Sequence, residues 1–347
     1  MIRRSDQAVK KILVKLPLLW LIVGLLASGF YIYGYTVLLR SDNQIQQVRK
    51  VVHPIQSKKE ADSLQQSKTE QGNFDETQIK PVTPAQYANA QLNYEKLVNS
   101  WGIGSVFIPS SNVHSKILAG MSNDNLMVGL GTYYPDQKLG KGNYVMMAHN
   151  LVQGGGVLRD LPQTTVGTIV FVTDFTTIYE YVVDLNKTVN QSEGHLLDPP
   201  EKEKPALITI FRCEGGLHTP NRSLIQAKFH KSYPANEGTH VVKENLGLEK
   251  AISTPGEQIL GGSDNNEKDT SSVQSTSEQA TESEEKDSGT KGENKRFIIK
   301  KPVYNRVDTF SIHVFKLFNT SPLCVALTFI LGMLIFSYGS NRVRRIK

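Results

Sequence analysis

The chain has 347 residues, a formal net charge of +6, 39% hydrophobic residues and only two cysteines. That length allows one sizeable core with accessory segments or two small domains. The excess positive charge sits mainly at the two ends, which argues for a membrane topology and against nucleic-acid binding.

The first element is an apolar run, LPLLWLIVGLLASGFYIYGYTVLL, over 16–39, with no charged residue. At about 1.5 Å per residue a helix of that length crosses the roughly 30 Å apolar layer of a bilayer. It exceeds the apolar stretch of about 7–15 residues in a cleaved signal, and no small-x-small site follows it, so it reads as a retained anchor. Arg3, Arg4, Lys10, Lys11 and Lys15 precede it in the segment 1–15, which places that end in the cytoplasm.

Residues 40–82 are polar and rich in Gln, Ser, Lys and Glu, and read as an extracellular stalk. A helix is predicted over TPAQYANAQLNYEKLVNS, with Thr83 as its cap and Pro84 in its first turn. From Gly102 the chain turns to short β-type runs: SVFIP, KILAG, YVMMAH, TIVFVTD, IYEYVVDL, ALITIFRC and RSLIQAKF. Turn-rich stretches such as NDN, YPDQKLGKGN and LDPPEKEKP separate them. Without alternating βα texture, this spacing predicts an antiparallel barrel or sandwich.

Residues 236–314 are expected to be a disordered linker. Between Gly261 and Lys295 the only large aliphatic residue is Val273, among Ser, Thr, Glu, Asp, Gln and Lys. Such a stretch buries too little apolar surface to offset its chain entropy. A second apolar run follows, PLCVALTFILGMLIFSY, and 315–338 reads as a second transmembrane helix with Lys316 snorkelling near one end. The basic tail 339–347, with Arg342, Arg344, Arg345 and Lys347, then sits in the cytoplasm beside the first terminus.

The chemistry converges on Cys213, the one cysteine outside an apolar run, at the end of the strand ALITIFRC. Cys324 lies in the second anchor and cannot pair with it. Outside the cell a structural cysteine is ordinarily paired, so this lone thiol is a candidate nucleophile. A thiol becomes nucleophilic when a neighbouring imidazolium or other cation lowers its pKa. The candidate histidines are His114, His149, His195 and His218. Of these, His149 ends a strand and opens the loop HNLVQGGG, at the rim of a sheet where substrate has access.

These residues resemble a family. GNYVMMAHN, with VGTIVFVTD and IYEYVV after it, is similar to the histidine region of the sortases. ITIFRCEGG followed by NRSLIQAKF resembles their Thr-Leu-x-Thr-Cys strand and the arginine that opens the next strand. The stretch from IGSVFIPSS to KLGKGN looks like the start of a class A sortase domain, and the likeness covers about residues 102–230.

The resemblance implies an all-β fold, a closed antiparallel sortase-type β-barrel with short helices, occupying 83–235 and flanked by two transmembrane helices. It implies Cys213 as nucleophile, His149 as general acid and base, and Arg222 as the group that stabilises the oxyanion. It also places Thr209, Arg212 and Asn150 beside the substrate. Two positions depart from the pattern: Ile210 replaces leucine, and Arg212 replaces the threonine before the cysteine.

The implied activity is cysteine transpeptidation. LPxTG-type sorting signals are cleaved between Thr and Gly, and the protein is transferred to the amine of a lipid-linked peptidoglycan precursor on a Gram-positive surface. No cofactor, metal site or nucleic-acid partner is expected. The rivals are a pilus-type sortase, a plain cysteine endopeptidase and an inactive surface-anchored binding protein. Pilus-type enzymes carry an Asp-Pro-aromatic lid ahead of the core, and no such tripeptide occurs here.

Overall fold

The computed structural model describes residues 2–40, 42–151, 155–215, 219–249, 298–299 and 302–345. It opens with helix α1 (Ile2–Leu39), whose stretch Leu18–Leu39 is long and apolar enough to cross a membrane. Leu18, Leu19, Leu25 and Leu26 of that stretch are exposed.

The expected stalk is packed structure: α2 (Asp42–Lys50), β1 (Val51–Pro54) and α3 (Lys58–Glu70). Val48, Val51, Val52, Ala61 and Leu64 are buried, and Ser57 caps α3 with a reciprocal Glu60 contact. A few apolar residues at the right spacing suffice to dock a segment whose average composition is polar. The predicted helix after Thr83 forms as two, α4 (Pro84–Leu92) and α5 (Tyr94–Trp101), broken at Asn93. Thr83 and Gln86 make the capping box.

The barrel is built from β2 (Gly102–Ile108), β3 (Val113–Leu118), β4 (Leu130–Thr132), β5 (Asn143–Ala148), β6 (Ile169–Thr173), β7 (Thr177–Asn190), β8 (Leu207–Cys213) and β9 (Asn221–Pro234), with α6 (Asn123–Val128) between β3 and β4. Its strands close in the order β2-β3-β4-β5-β8-β9-β7-β6. All seven predicted runs are strands. The eighth, β4, escapes pattern reading because it is the tripeptide Leu-Gly-Thr.

Two features correct the expected all-β, antiparallel architecture. Helices α1 to α6, and three more described next, make the described chain far richer in helix. Within the barrel, β3–β4 and β5–β8 pair in parallel. A parallel pair needs a long crossover and both faces covered. The segment between β5 and β8 supplies the crossover, carrying the β6–β7 hairpin. The near-continuous apolar runs YVMMA and LITIF supply the two covered faces. Tyr144, Met146, Ile208, Ile210, Ile225 and Ala227 point into the barrel core. Val145, Met147, Phe211 and Leu224 point outward into a second cluster.

The expected linker 236–314 is ordered at both ends. Helix α7 (His240–Asn245) and β10 (Leu248–Glu249) pack Val242, Leu246 and Leu248 against Phe107 and Phe175. β11 (Ile298–Ile299) and β10 flank β1 in a three-stranded sheet. The acidic centre of that segment, 250–297, lies outside the described residues.

The second apolar run, 322–338, lies within one helix, but the expected transmembrane helix 315–338 is broken at its start. Helix α8 (Arg306–Thr320), capped by Asn305 and Asp308, meets α9 (Pro322–Arg345) at a 94° bend. Pro322 disfavours helical backbone at Ser321, which places the break there. Among the described residues α1 is the one unbroken helix that qualifies as a span, and α8 with α9 would make a second only as a bent pair, so two flanking transmembrane helices are not established. α8 packs on the end of α1, with Tyr31 and Phe315 stacked at 5.2 Å and Tyr33 donating to Asp308. α9 touches α1 through Trp20 and Phe329.

Candidate active site

The register of three adjacent strands builds the site. Cys213 ends β8 and is the Cα partner of Arg222 on β9. On the other side β8 pairs in parallel with β5 as far as Ala148 and Arg212, so His149 is the next residue in line with Cys213. Side chains alternate along a strand. Val145, Met147 and His149 therefore share an outer face with Thr209, Phe211 and Cys213, and with Gln226, Leu224 and Arg222. The histidine, thiol and guanidinium stand in one row across β5, β8 and β9.

Each member is held differently. Cys213 is half-buried and free of any disulfide. His149 is 7% exposed, and its backbone N–H donates to the Leu126 carbonyl at 3.0 Å. Its Nε2 lies 2.9 Å from Asn123 Oδ1, and the Lys80 backbone N–H donates to the same oxygen at 3.1 Å. Because that amide atom accepts from Lys80, it is an oxygen, and Nε2 carries the imidazole proton. Burial pushes the His149 pKa down to about 4, so the ring is neutral at pH 7 in this conformation. Arg222 donates from Nη1 to the carbonyls of Thr219 and Asn221, and from Nη2 to Gln191 Oε1 at 3.0 Å.

The loop after His149 folds back through two glycines at positive φ, Gly155 (115°) and Gly156 (87°). A Cβ on Gly156 would stand 2.8 Å from the His149 carbonyl oxygen, so a side chain there displaces the histidine's own backbone.

The three residues expected at the substrate have other surroundings. Thr209 is fully buried; its hydroxyl donates to Asn143 Oδ1 at 2.8 Å and accepts from Gln226 Nε2 at 3.1 Å, which leaves no surface for a ligand. Arg212 points to the opposite face from Cys213. It donates to the Cys213 carbonyl at 2.9 Å, and its Nη2 lies 2.9 Å from Glu214 Oε2. Burial lowers its pKa, with Glu214 acting in the opposite sense. Asn150 is half-buried directly after His149. Among the other histidines, His114 is buried between Asn112 and Asn245, His195 stands on a 3-10 turn before β8, and His218 lies outside the described residues.

Two features of the site are not visible in the sequence. Asn123, the first residue of α6, fixes the tautomer of His149, yet NDN reads as a plain turn. In addition, Phe74 and Ile79 pack against the outer cluster of Met121, Leu126, Val145, Met147, Val189, Phe211 and Leu224, on the face that carries the row of His149, Cys213 and Arg222. Glu76 in the same segment accepts from the Tyr133 hydroxyl. The 73–80 segment thus packs against this outer cluster, beside Asn123, without any Asp-Pro-aromatic tripeptide.

Residues 106–230 match the sortase domain family model. Sortase A of Listeria monocytogenes is 25% identical over 172 residues, which are 50% of this chain and 75% of the relative. Sortase A of Bacillus anthracis is 26% identical over 192 residues, 55% of this chain and 83% of the relative. Among solved structures, that of Listeria monocytogenes sortase A aligns with 42% of this chain and 96% of its own, at 26% identity and a TM-score of 0.38. The domain match spans the strands that carry His149, Cys213 and Arg222, so the barrel of this chain is similar to the sortase domain over the residues that build the candidate site.

Proposed function

We propose that the chain is a membrane-anchored, class A-like sortase that cleaves LPxTG-type signals between Thr and Gly and transfers the acyl part to a cell-wall precursor amine. The observation that carries this reading is the row of His149, Cys213 and Arg222 in register on β5, β8 and β9. α1 is read as the anchor, and the basic residues before it favour a cytoplasmic N-terminus with the barrel on the far side of the membrane.

The Cys213 thiolate attacks the Thr carbonyl carbon, forming a C–S bond as the carbonyl pi electrons move to oxygen. Collapse breaks the C–N bond, and His149 gives a proton to the departing amine. The incoming amine then attacks the thioester carbonyl, His149 takes its proton, and the C–S bond breaks to return the thiolate. Arg222, once released from Thr219 and Gln191, donates to the oxyanion, a contribution of about 10²–10³ in rate for a donor of this kind.

The test uses the full chain in nanodiscs with a quenched LPxTG peptide, with and without an added amine. Cleavage with an amine-linked product, abolished in Cys213→Ala, is the expected result. Hydrolysis indifferent to the amine would instead identify a cysteine endopeptidase. One observation favours a pilus-type reading: the packing of Phe74 and Ile79 against the outer cluster on the site face.

A further inference from the structure

Helix α8 is apolar on two faces. One face, with Ser311, Ile312 and Phe315, is buried against α1 and α4. The other carries Val307, Phe310 and Leu317, each more than half exposed. These three recur at helical spacing and form one stripe. A helix apolar on both sides calls for a second apolar environment on the outer one.

The two helices beside α8 fix where that stripe stands. α8 crosses α1 at Gly34, where a Cβ would collide with the backbone carbonyl of Ser311. Lys15, the last cation before the apolar stretch of α1, lies about 29 Å along the helix from that crossing, at about 1.5 Å per residue. α9 turns away from α8 by 94° and runs back along α1, with Phe329 against Trp20 and Gly24. From Pro322 to Arg342, the first charged residue of α9, is about 30 Å by the same rise. Both lengths match the roughly 30 Å hydrocarbon layer of a bilayer, so the crossing falls at the boundary opposite the basic ends. Tyr31, Tyr33 and Tyr35 of α1 gather at that level, where aromatic side chains with a polar tip are favoured.

The two faces of α8 also differ in what they reach. Phe310 sits edge-on to Phe30 at 5.0 Å, on the side of Gly34 toward the apolar span. Lys316 donates to Asn89 Oδ1 on α4, and Phe315 packs with Tyr87, on the side toward the barrel. The stripe thus meets exposed apolar side chains at both ends. Leu26 of α1 is one helical turn from Phe30, and Leu323 of α9 lies in the turn after the bend. A continuous apolar surface with its cation turned toward the barrel fits a bilayer.

We infer that α8 lies in the plane of the membrane at the boundary of the hydrocarbon layer. Val307, Phe310 and Leu317 stand in lipid, and the opposite face holds α4 and the barrel against the headgroups. This rests on reading α1 as the anchor, as proposed above. It adds the surface through which a bilayer fixes the height of the row of His149, Cys213 and Arg222.

The experiment measures spin-label depth on the full chain in phosphatidylcholine nanodiscs, from the relative access of oxygen and of a water-soluble nickel chelate. In a Cys213→Ala, Cys324→Ser background, Val307→Cys, Phe310→Cys and Leu317→Cys are labelled one at a time. Leu25→Cys is the mid-span reference and Lys96→Cys, exposed on α5, the aqueous one. The three α8 labels are expected at one common depth, about 5–10 Å into the boundary of headgroups and acyl chains, as for helices that lie in the interface. Labels in water, or broadened by a second copy of the chain, would overturn the proposal. Depth that increases steadily from 307 to 317, the signature of a bent span, would overturn it equally. A Leu25 label in water would sink the anchor reading together with it. Because the readout is depth, failure of the parent chain to transfer peptide would count against the transpeptidase reading alone.

Discussion

Arg212 stands immediately before the candidate nucleophile, yet its side chain leaves the face that carries Cys213. It is 6% exposed, donates to the carbonyl of Cys213 and pairs with Glu214. It therefore acts on the thiol through the backbone, by fixing the end of β8. Arg212 is buried but the Glu214 side chain is 35% exposed, so removing the arginine leaves a partly solvated carboxylate and costs about 1–2 kcal/mol. Arg212→Ala is expected to lower the thermal midpoint by several degrees, whereas Arg212→Met combined with Glu214→Gln recovers most of it. A single variant as stable as the parent would show that the pair contributes nothing. The oddity of Arg212 is legible in the sequence because threonine is usual there in the family. Its direction is not, because the register of β8 decides that.

At the scale of elements, the segment 73–80 and α6 together hold His149 in a state unsuited to acid catalysis. The Lys80 N–H and His149 Nε2 share Asn123 Oδ1, and burial brings the imidazole pKa to about 4. A general acid works best with a pKa near the working pH, so the acid role proposed for His149 calls for a less buried imidazole than this one. Phe74→Ser with Ile79→Ser removes the apolar contacts that seat the segment. The histidine is then expected to titrate closer to its ordinary 6.5, seen by NMR, with a rise in peptide cleavage. An imidazole still neutral down to pH 4 in that variant would place the cause of burial elsewhere. The segment NFDETQIK reads as polar stalk because only two of its residues are apolar, and docking depends on what those two meet. The strand runs, the Thr83 cap and the order of His149, Cys213 and Arg222 are legible because periodicity, capping and motif are local properties. The parallel β5–β8 pairing, which puts the row together, is set by a crossover far longer than any sequence window.

At the scale of the whole molecule, three buried histidines make the fold sensitive to acid. His53, stacked on Phe175 at 3.7 Å, has its pKa lowered to about 3, while His114 and His149 fall to about 4. Burial is the leading cause in each case, with Lys116 and Lys68 adding to it at His53 and Arg49 at His114. The unfolded chain protonates all three near pH 6.5, and the folded chain does not until about pH 4 or below. Between those limits the unfolded state binds up to three more protons, so the histidines' contribution to stability is fully present above pH 6.5 and falls as the pH is lowered. Each histidine contributes about 1.4 kcal/mol per pH unit, so the three together approach roughly 4 kcal/mol per unit, a large part of an ordinary folding free energy. Lys116 extends the same trend upward. It is fully buried, its Nζ makes no hydrogen bond, and its pKa is lowered to about 7 from 10.5. The unfolded chain therefore holds an extra proton between pH 7 and 10.5, and stability climbs across that window as well. Urea midpoints measured from pH 4 to 10 are expected to collapse below pH 6 and to rise gently above pH 7. Lys116→Met should flatten the upper limb while leaving the lower one in place. Midpoints level between pH 6.5 and 5 would mean that the histidines take up protons in the folded state, and that the sites described as buried open to water on acidification.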